Sequence, residues 1–276
     1  MPTNMNELFN NIHKVPQIPE IVKILINQLN DPKADLQAIA KNIEKEQMIA
    51  LKVLRLVNSA HFGLSRKVNS IDEATLMLGF GTLKTLVIAS GIVGSIPAIP
   101  NFDIKQFWSN SFRSAACSKW FAQQAALNVD IAYTAGLISN LGNILIHLGA
   151  PSEANEIDQH VKHDKSRFEM EKNRLGYTEQ QVCAELCRRW KLADELIDAI
   201  EMSGDPLSAE STNPLACAVF LGHFISDCQD QALNTEEVMA KFPIQIAEKL
   251  GLTEELMSQK ISGVVGIQSE LEGLAE

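Results

Sequence analysis

The sequence predicts an all-α fold. Apolar residues recur three and four positions apart through most of the chain, and helix-capping residues precede many of these runs. No stretch alternates apolar and polar residues in the way that a half-buried strand does. A chain of 276 residues, 46% of them hydrophobic, can bury a substantial core as one large domain or as two small ones.

The first half of the chain holds five predicted helices. In order these are Pro19 to Leu29, a helix capped by Asp35, Gln47 to Val57, a helix opened by Ser70 with Glu73, and a helix after Gly81-Thr82. Ser70 and Glu73 have the spacing of a capping box, in which two side chains satisfy free N–H groups at a helix start. Pro97 and Pro100 are too close together for a continuous helix, so we place a boundary between two helical subdomains there.

The second half continues in the same way. The predicted helix starts are Asp103 with Gln106, Asp130, Pro151, Thr178 with Gln181, and Asn213-Pro214, and four short helical segments follow from Thr235 to the end. The first of these helices runs to Leu127. Thr178 with Gln181 is a second capping box, leading a helix to Trp190.

Composition and charge weigh against several functional classes. The net charge of −10 and the sequence pI of about 5.2 disfavour a nucleic-acid partner, which usually meets a basic surface. The N-terminus lacks the features of a signal peptide, and the most apolar window, Leu83 to Pro100, is too short to span a bilayer comfortably. Five irregularly spaced cysteines do not suggest a disulfide framework. We expect a cytoplasmic protein without a membrane segment.

The segment Gly136-Leu137-Ile138-Ser139-Asn140-Leu141-Gly142 is the most informative motif. It resembles a segment of the HD family of phosphohydrolases, in which a His-Asp pair within the same frame of glycines and aliphatic residues binds a divalent metal. Here Ser139 and Asn140 occupy the places of the histidine and the aspartate. A neutral hydroxyl and a neutral amide cannot replace an imidazole and a carboxylate as ligands of such a metal. The motif therefore predicts the shape of the enzyme without its chemistry.

Other motifs extend the resemblance to one family. They are Val15-Pro16-Gln17-Ile18-Pro19, Leu54 to Gly63, Ser70 to Gly79, Phe107-Trp108 and Val182 to Trp190. Together they are similar to the HDOD domain, the HD-related output domain of bacterial signalling proteins. The resemblance covers about Val15 to Phe224 and implies an HD-like helical fold with an N-terminal helical bundle. Residues 1–14 would be an extension, residues 15–97 and 101–224 two subdomains of one domain, and residues 225–276 a helical tail.

The same resemblance identifies positions that bind metal in catalytic relatives. Beside Ser139 and Asn140, these are Asn110, Glu179, Ser203, Gly204 and His223. One imidazole and one carboxylate do not make a two-metal centre, which needs several such ligands converging. We therefore expect no catalytic residue, no metal site and no cofactor, with residual phosphohydrolase activity as the alternative. The physical alternative at each position is a polar residue that satisfies a helix end in a filled core.

The primary functional hypothesis is a non-catalytic signal-transduction module that acts through protein contacts. The resemblance implies partners in histidine kinase, response-regulator or cyclic-dinucleotide systems, and it leaves a homo-oligomer open. The candidate contact is the polar end around Arg55, Asn58, Arg66 and Lys67, although the residue chemistry alone favours a structural role for Asn58, which can turn the chain at a helix end. A second hypothesis is a sensor whose emptied pocket binds a nucleotide or another anion, with Arg113 supplying charge.

Two further clusters carry residues that can bind metal. Cys183 and Cys187 share a helical face, and His160 lies close to His163. Without a second pair at finger-like spacing, the cysteines are expected in the core. The histidines stand in a charged stretch from Glu153 to Lys172, which is expected to form a solvated helix face.

Overall fold

The structure, a computed structural model, describes residues 4–12, 15–27, 36–58, 66–78, 80–96, 99, 102–161, 166–208 and 212–269. These residues form helices and turns with no strand among them, so the predicted all-α class is confirmed. The first half contains α1 (Met5–Asn11), α2 (Glu20–Asn27), α3 (Leu36–Lys45), α4 (Gln47–Val57), α5 (Ile71–Leu78) and α6 (Phe80–Val93). The predicted bounds of α4 match the structure at both ends. Helix α1 was not predicted.

The second half contains α7 (Ile104–Gln124), α8 (Val129–Ile138), α9 (Leu141–Gly149), α10 (Pro151–Val161), α11 (Arg167–Leu175), α12 (Glu179–Arg189), α13 (Asp194–Glu201) and α14 (Pro214–Asp230). A short 3-10 helix, Met202–Gly204, follows α13. Helix α14 runs past residue 225, where the tail is predicted to begin. The described tail then holds α15 (Thr235–Lys241), α16 (Ile244–Glu248) and α17 (Glu254–Val265). Four helices are predicted from Thr235 to the end, and the described part contains three of them. Residues 270–276 lie outside the described part.

Local capping explains where several helices begin. Thr178 and Gln181 form the predicted capping box at the start of α12, with both reciprocal hydrogen bonds present. At the start of α5, the Ser70 hydroxyl accepts from the N–H of Glu73 at 3.1 Å. The Glu73 carboxylate accepts from the N–H of Asn69 at 2.9 Å, one residue earlier than the standard box. Short polar side chains therefore set these boundaries much as the sequence predicts.

Helix α8 begins earlier than predicted. Asn128 caps it instead of Asp130, because the Asn128 side chain already accepts from the N–H groups of Asp130 and Ile131, at 3.1 and 3.0 Å. The carboxylate of Asp130 lies 2.5 Å from Nζ of Lys84, a buried lysine on α6. Asp130, the predicted start of this helix, therefore forms an ion pair that links the two halves of the chain.

The described halves are joined by direct contacts. The indole N–H of Trp190 donates to the carbonyl of Pro16 at 2.9 Å, and the side chain of Asn27 donates to the carbonyl of Lys191 at 3.2 Å. Helix α1 packs on α9, and α6 packs on α8. Of the predicted proline boundary, only Ile99 lies within the described residues, and the division into extension, subdomains and tail remains a prediction.

The second half is built around the packing of α7, α8 and α14. Helix α7 lies against both α8 and α14, while α12 packs on α9 and α13. The turn between α8 and α9, which holds Ser139 and Asn140, therefore lies deep within this half. Both residues are described, and Ser139 is fully buried.

One stretch of the described chain has the length and hydropathy of a membrane span. It is Val129–Gly149, which comprises α8, the turn and α9, and 72% of its apolar window is buried inside the protein. Such burial is typical of a core helix, because a lipid-facing helix would present its apolar side to the bilayer.

Candidate functional site

Two glycines of the motif are required by the close approach of helices. A Cβ atom on Gly136 would lie 2.6 Å from Oγ of Ser118 and 3.0 Å from the backbone of α7. A Cβ atom on Gly142 would lie 1.8 Å from the carbonyl oxygen of Glu179, at the start of α12. Close-packed interiors leave no room for a side chain at such distances. The glycines thus allow α8 to lie against α7, and α9 against α12.

Ser139 and His223 are bonded to each other within this packing. A hydrogen bond of 2.6 Å joins Oγ of Ser139, at the end of α8, to Nε2 of His223 on α14. Burial lowers the pKa of His223 to about 4, because a cationic ring is poorly solvated in the interior. The imidazole is therefore neutral near pH 7, and its Nε2 atom is engaged by the serine.

Asn140 and Glu179 lie at the two helix starts that Gly142 brings together. Asn140 precedes α9, is half-buried, and makes no capping hydrogen bond with its side chain. Glu179 is buried; its N–H donates to the carboxylate of Glu171 at 2.7 Å, and its own carboxylate accepts from the side chain of Gln180 at 3.2 Å. Burial raises the pKa of Glu179.

Asn110, on α7, forms hydrogen bonds within its own helix and to α14. Its amide oxygen accepts from the side chains of Gln106 and Arg113, and its backbone carbonyl accepts from the hydroxyl of Ser226 at 3.0 Å. The guanidinium of Arg113 also lies 3.2 Å from the carboxylate of Asp230. The charge that the sensor hypothesis assigns to Arg113 is therefore already matched by an acidic neighbour.

Ser203 and Gly204 lie in the short 3-10 helix that follows α13, where the backbone is closely packed. Ser203 is buried, and its hydroxyl donates to the carbonyl of Ile200 at 2.8 Å. A Cβ atom on Gly204 would lie 2.8 Å from the ring of Phe168 and 2.9 Å from Oε1 of Gln180. Both positions therefore contact neighbouring parts of the protein.

The predicted pocket residues differ in what they contact. Ser139 and His223 share a direct side-chain bond, whereas Asn110, Glu179 and Gly204 contact other neighbours.

A series of hydrogen-bonded ionisable side chains next to the motif was not predicted. His147 donates from Nδ1 to the carbonyl of Asn143 at 2.9 Å, and its Nε2 lies 2.9 Å from the carboxylate of Asp158. Asp158 also pairs with Arg167, whose guanidinium lies 3.5 Å from the carboxylate of Glu171. Although burial opposes the shift, hydrogen bonds from His147 and Arg167 hold the pKa of Asp158 below its usual value.

This series of side chains ends at Glu171, whose carboxylate accepts from the backbone N–H of the predicted site residue Glu179. Glu171 is fully buried, and burial together with the charge of Glu179 raises its pKa to about 8. The solvated face expected for the stretch 153–172 is therefore wrong for Asp158, Arg167 and Glu171, which face other helices. The i, i+4 spacing of Arg167 and Glu171 is compatible with pairing, but it gives no indication of burial.

The two weaker clusters have ordinary structural roles where they are described. Cys183 and Cys187 are buried and unpaired by disulfides, and the thiol of Cys183 donates to the carbonyl of Ile138 at 3.0 Å. The expected core role of these cysteines is confirmed. His160 bonds through Nδ1 to the carbonyl of Glu156 in its own helix, and His163 lies outside the described residues.

The four residues of the predicted partner contact are Arg55, Asn58, Arg66 and Lys67. Asn58 has a structural role, because its side chain donates to the carbonyl of Val68 and accepts from the N–H of Val68, both at 2.7 Å. Arg66 lies 2.8 Å from the carboxylate of Glu73. Arg55 and Lys67 are exposed and make no ion pair with any residue that the structure describes. The latter two are the members of the set available to a partner.

Three buried polar atoms near the motif have no hydrogen-bond partner among the described residues. They are Nε of Arg113, Oδ1 of Asn143 and Oε1 of Gln180. Beside Gly204, a groove of about 140 Å³ is lined by Phe168, Lys172, Thr178 and Met202, among others. Pockets for drug-sized ligands usually measure roughly 300–1,000 Å³, so this groove is too small for a nucleotide.

The donor atoms present do not fit a divalent-metal centre. Ser139 and Asn140 offer neutral oxygens, and Nε2 of His223 is bonded to the serine hydroxyl. The described part of the chain contains no group of three or more His, Cys, Asp or Glu residues placed to hold a metal ion. Hydrolytic metals of this kind require several imidazole or carboxylate ligands at one point.

Solved structures share this fold. A Shewanella amazonensis SB2B protein, named provisionally as a phosphohydrolase, is 27% identical with a TM-score of 0.77, covering 99% of this chain and 100% of its own. An HDOD domain protein of unknown function from Geobacter sulfurreducens is 21% identical with a TM-score of 0.75, covering 95% and 94%. A Marinobacter aquaeolei VT8 protein, named provisionally as a signal transduction protein, is 19% identical with a TM-score of 0.74, covering 98% and 63%.

Sequence comparison points to the same family. An uncharacterized protein of Treponema pallidum (strain Nichols) is 24% identical over 256 residues, covering 89% of this chain and 49% of its own length. The chain thus spans about half the length of that relative. The sequence model of the HDOD domain matches residues 15–206, which is most of the 276 residues. The chain therefore belongs to the HDOD domain family.

Proposed function

We propose that this protein is a non-catalytic signal-transduction module whose output is a contact with another protein. One observation carries the proposal: at the place of the metal-binding pair, Ser139 is fully buried and bonded to His223. Ser139 and His223 stand at two positions that bind metal in the catalytic relatives, and here their side chains form a hydrogen bond with each other. The glycines and aliphatic residues of the hydrolase-like motif pack helices against one another. The function therefore lies in the surface of the protein, where a partner can bind.

Burial of the site supports the same conclusion. A nucleophile or base must reach a bound substrate at hydrogen-bond distance, and the hydroxyl of Ser139 is enclosed by protein. Among the described residues no carboxylate is hydrogen-bonded to His223, so the pair lacks the third group that orients a catalytic histidine beside its serine. Ser139 and His223 therefore contribute to stability rather than to a reaction.

Membership of the HDOD family supports a role in bacterial signalling. HDOD domains are associated with bacterial signalling, and the Marinobacter neighbour is named for signal transduction. We assign the partner to a histidine kinase, response-regulator or cyclic-dinucleotide system of the cytoplasm. The net charge of −10 supports a protein partner over a nucleic acid.

Metal content and hydrolysis together test the absence of catalysis. The full chain is purified without chelators, its metals are measured by mass spectrometry, and it is assayed on p-nitrophenyl phosphate and bis(p-nitrophenyl) phosphate with added Mn²⁺. We expect far less than one metal per chain and identical background rates for the wild type and for Ser139→Ala. Stoichiometric iron or manganese, or a rate that Ser139→Ala and His223→Gln abolish, would refute the proposal.

A ligand sensor is a second candidate, supported by the orphaned polar atoms. Nε of Arg113, Oδ1 of Asn143 and Oε1 of Gln180 are buried without partners in the described chain, and such atoms cost free energy unless something bonds them. A thermal-shift series with nucleotides and small anions distinguishes this candidate, because a ligand selective for the folded state raises its melting temperature. No shift with any of them at millimolar concentration would eliminate the sensor.

A further inference from the structure

The imidazole of His147 lies between two hydrogen-bond acceptors. Its Nδ1 atom is 2.9 Å from the backbone carbonyl oxygen of Asn143, and its Nε2 atom is 2.9 Å from a carboxylate oxygen of Asp158. A neutral imidazole has one N–H group and one lone pair, whereas the imidazolium has two N–H groups. A carbonyl and an ionised carboxylate can only accept, so both hydrogen bonds form together only when the ring is doubly protonated.

Asp158 is in its ionised form in this arrangement. Burial alone would raise the pKa of Asp158, but the hydrogen bonds and charges of His147 and Arg167 bring it below its ordinary value. An ionised carboxylate has no proton to give to Nε2 of the ring. The second proton therefore belongs to His147, which is a cation when both contacts are made.

The cationic ring is enclosed by several elements. The side chain of His147 is 8% exposed, and the ring of Phe102 packs on it with 4.9 Å between the ring centroids. Helix α9 has no other charged residue. The ionisable groups around the ring come from the neighbouring helices, and they are Asp158 on α10, Arg167 on α11 and Glu179 on α12.

Helix α1 also packs on α9, and it carries one charged residue, Glu7. The charge of Glu7 acts on Tyr177. Asp158 is therefore the carboxylate that bonds directly to the ring of His147.

Few buried apolar side chains hold α10 and α11 in place. Helix α10 buries Ala154 and Ile157, and α11 buries Leu175 as its one apolar residue. Helix α9, by comparison, buries four large aliphatic side chains: Leu141, Ile144, Leu145 and Ile146. Polar contacts therefore carry a large share of the attachment of α10 and α11, which pack on each other and which we call the α10–α11 pair.

Two acidic residues provide these polar contacts. Asp158 on α10 bonds to His147 on α9 and to Arg167 on α11. Glu171 on α11 is fully buried and accepts from the N–H of Glu179, at the start of α12, at 2.7 Å. The α10–α11 pair is thus fastened to α9 through Asp158 and to α12 through Glu171.

We propose that His147 is a proton-sensitive latch, whose imidazolium holds the α10–α11 pair against α9 and whose deprotonation loosens this pair as the pH rises. A neutral ring must point its lone pair either at the carbonyl of Asn143 or at the carboxylate of Asp158, and either oxygen repels it. One of the two hydrogen bonds is then lost. This regulation by pH does not depend on the proposed partner contact, and it leaves metal content and hydrolysis unchanged.

The effect on stability has a definite sign. Histidine changes its charge near neutral pH, so a modest change of pH is enough to operate the latch. Because the folded network holds the second proton, its stabilisation is complete below about pH 6.5, where the ring of an unfolded chain is protonated as well. The stabilisation is lost as the pH rises through the titration of the folded ring. His223 acts in the opposite direction, since burial lowers its pKa to about 4.

Nitrogen-15 NMR of the histidine rings tests the protonation state. A ring nitrogen with a proton resonates far from one with a lone pair, and His147→Gln identifies the signals of His147 by their absence. We expect both ring nitrogens of His147 to carry protons at pH 7 in the wild type. In Asp158→Asn the new amide can donate to Nε2, so the doubly protonated fraction at pH 7 should fall about threefold or more.

Amide hydrogen exchange measures how firmly the α10–α11 pair is held. Between pH 6 and pH 8, after correction for the intrinsic exchange rate, we expect protection of α10 and α11 in the wild type to fall about fivefold or more relative to α17. Glu171 titrates in this range too, because burial and the charge of Glu179 raise its pKa to about 8. His147→Gln keeps Glu171, so a smaller fall in this variant isolates the histidine.

His223→Gln is the matched control, because it removes another imidazole, one that bonds to Ser139 outside this network. It should keep the wild-type change in the protection of α10 and α11. Three outcomes would overturn the inference: a singly protonated His147 at pH 7 in the wild type, equal protonation in the wild type and Asp158→Asn, and an equal fall of protection in the wild type and His147→Gln. If His147→Gln does not fold, the comparison of the wild type with Asp158→Asn decides.

Discussion

Ser139 and His223 are 84 residues apart in the sequence and 2.6 Å apart between Oγ and Nε2 in the structure. The family resemblance places both positions among the metal ligands of catalytic relatives. In this chain the hydroxyl and the imidazole bond to each other instead. Their bond joins the end of α8 to α14.

Ser139→Ala tests the contribution of this bond to stability. The substitution leaves a buried imidazole without its partner, and an unsatisfied buried polar group costs about 1–3 kcal/mol. We expect a loss of that size in the free energy of unfolding, measured by urea titration followed by circular dichroism. Ser262→Ala on the exposed side of α17 is the control and should change stability by less than about 0.5 kcal/mol. Equal effects at the two serines would show that the bond contributes nothing.

Gly142→Ala tests the close approach of α9 and α12. The added methyl group would lie 1.8 Å from the carbonyl oxygen of Glu179, so the helices must separate. We expect a loss of about 2 kcal/mol or more in the free energy of unfolding. Gly263→Ala is the control, because a Cβ atom there meets nothing within 4 Å, and it should stabilise α17 by up to about 1 kcal/mol. A tolerated alanine at position 142 would contradict the packing described.

Because of His223, the free energy of unfolding should fall as the pH is lowered below 6.5. The unfolded chain binds a proton at this histidine near its ordinary pKa of 6.5, whereas the folded protein binds it only near 4. Lowering the pH from 6.5 to 4 therefore favours the unfolded state, by up to about 1.4 kcal/mol per pH unit.

Unfolding free energies across that range, compared between the wild type and His223→Gln, measure this contribution. The variant should lose less stability per pH unit than the wild type below pH 6.5 and follow the same slope above it. Parallel curves for the wild type and His223→Gln would contradict the lowered pKa of His223.

The ion pair of Lys84 and Asp130 should respond unequally to loss of each partner. The side chain of Lys84 is 8% exposed and that of Asp130 is 34% exposed. Removing the carboxylate leaves a buried cation unpaired, whereas removing the cation leaves a carboxylate that water can reach. We expect Asp130→Asn to cost about 2–4 kcal/mol in unfolding free energy and Lys84→Met about half as much or less. Equal costs in urea titration would show that Lys84 is hydrated.

Local chemistry made much of the fold predictable. Gln47 to Val57 forms a helix with the predicted bounds, and Thr178 with Gln181 forms the predicted capping box. Both features depend on residues within one turn of each other, which the sequence displays directly. The start of α8 was missed because Asn128 and Asp130 offer nearly the same capping chemistry.

The site was predictable only in part. Motif positions identify Ser139 and His223, but nothing local indicates that they bond across 84 residues. The chain from His147 through Asp158 to Arg167 was missed, because its residues lie in a stretch whose composition is that of a solvated helix face. Their burial depends on where α10 and α11 pack, and that is a property of the whole helix arrangement.

The sequence by itself determined the all-α class, several helix starts, the family and the presence of Ser139-Asn140 within the glycine motif. Each of these depends on residue type and on short spacing. The tertiary structure alone decided that Ser139 binds His223, that Gly142 admits the backbone of Glu179, and that Met48 and Leu51 face outward. Those relationships arise from helices meeting at long sequence separation, where packing chooses which face of each amphipathic segment is covered.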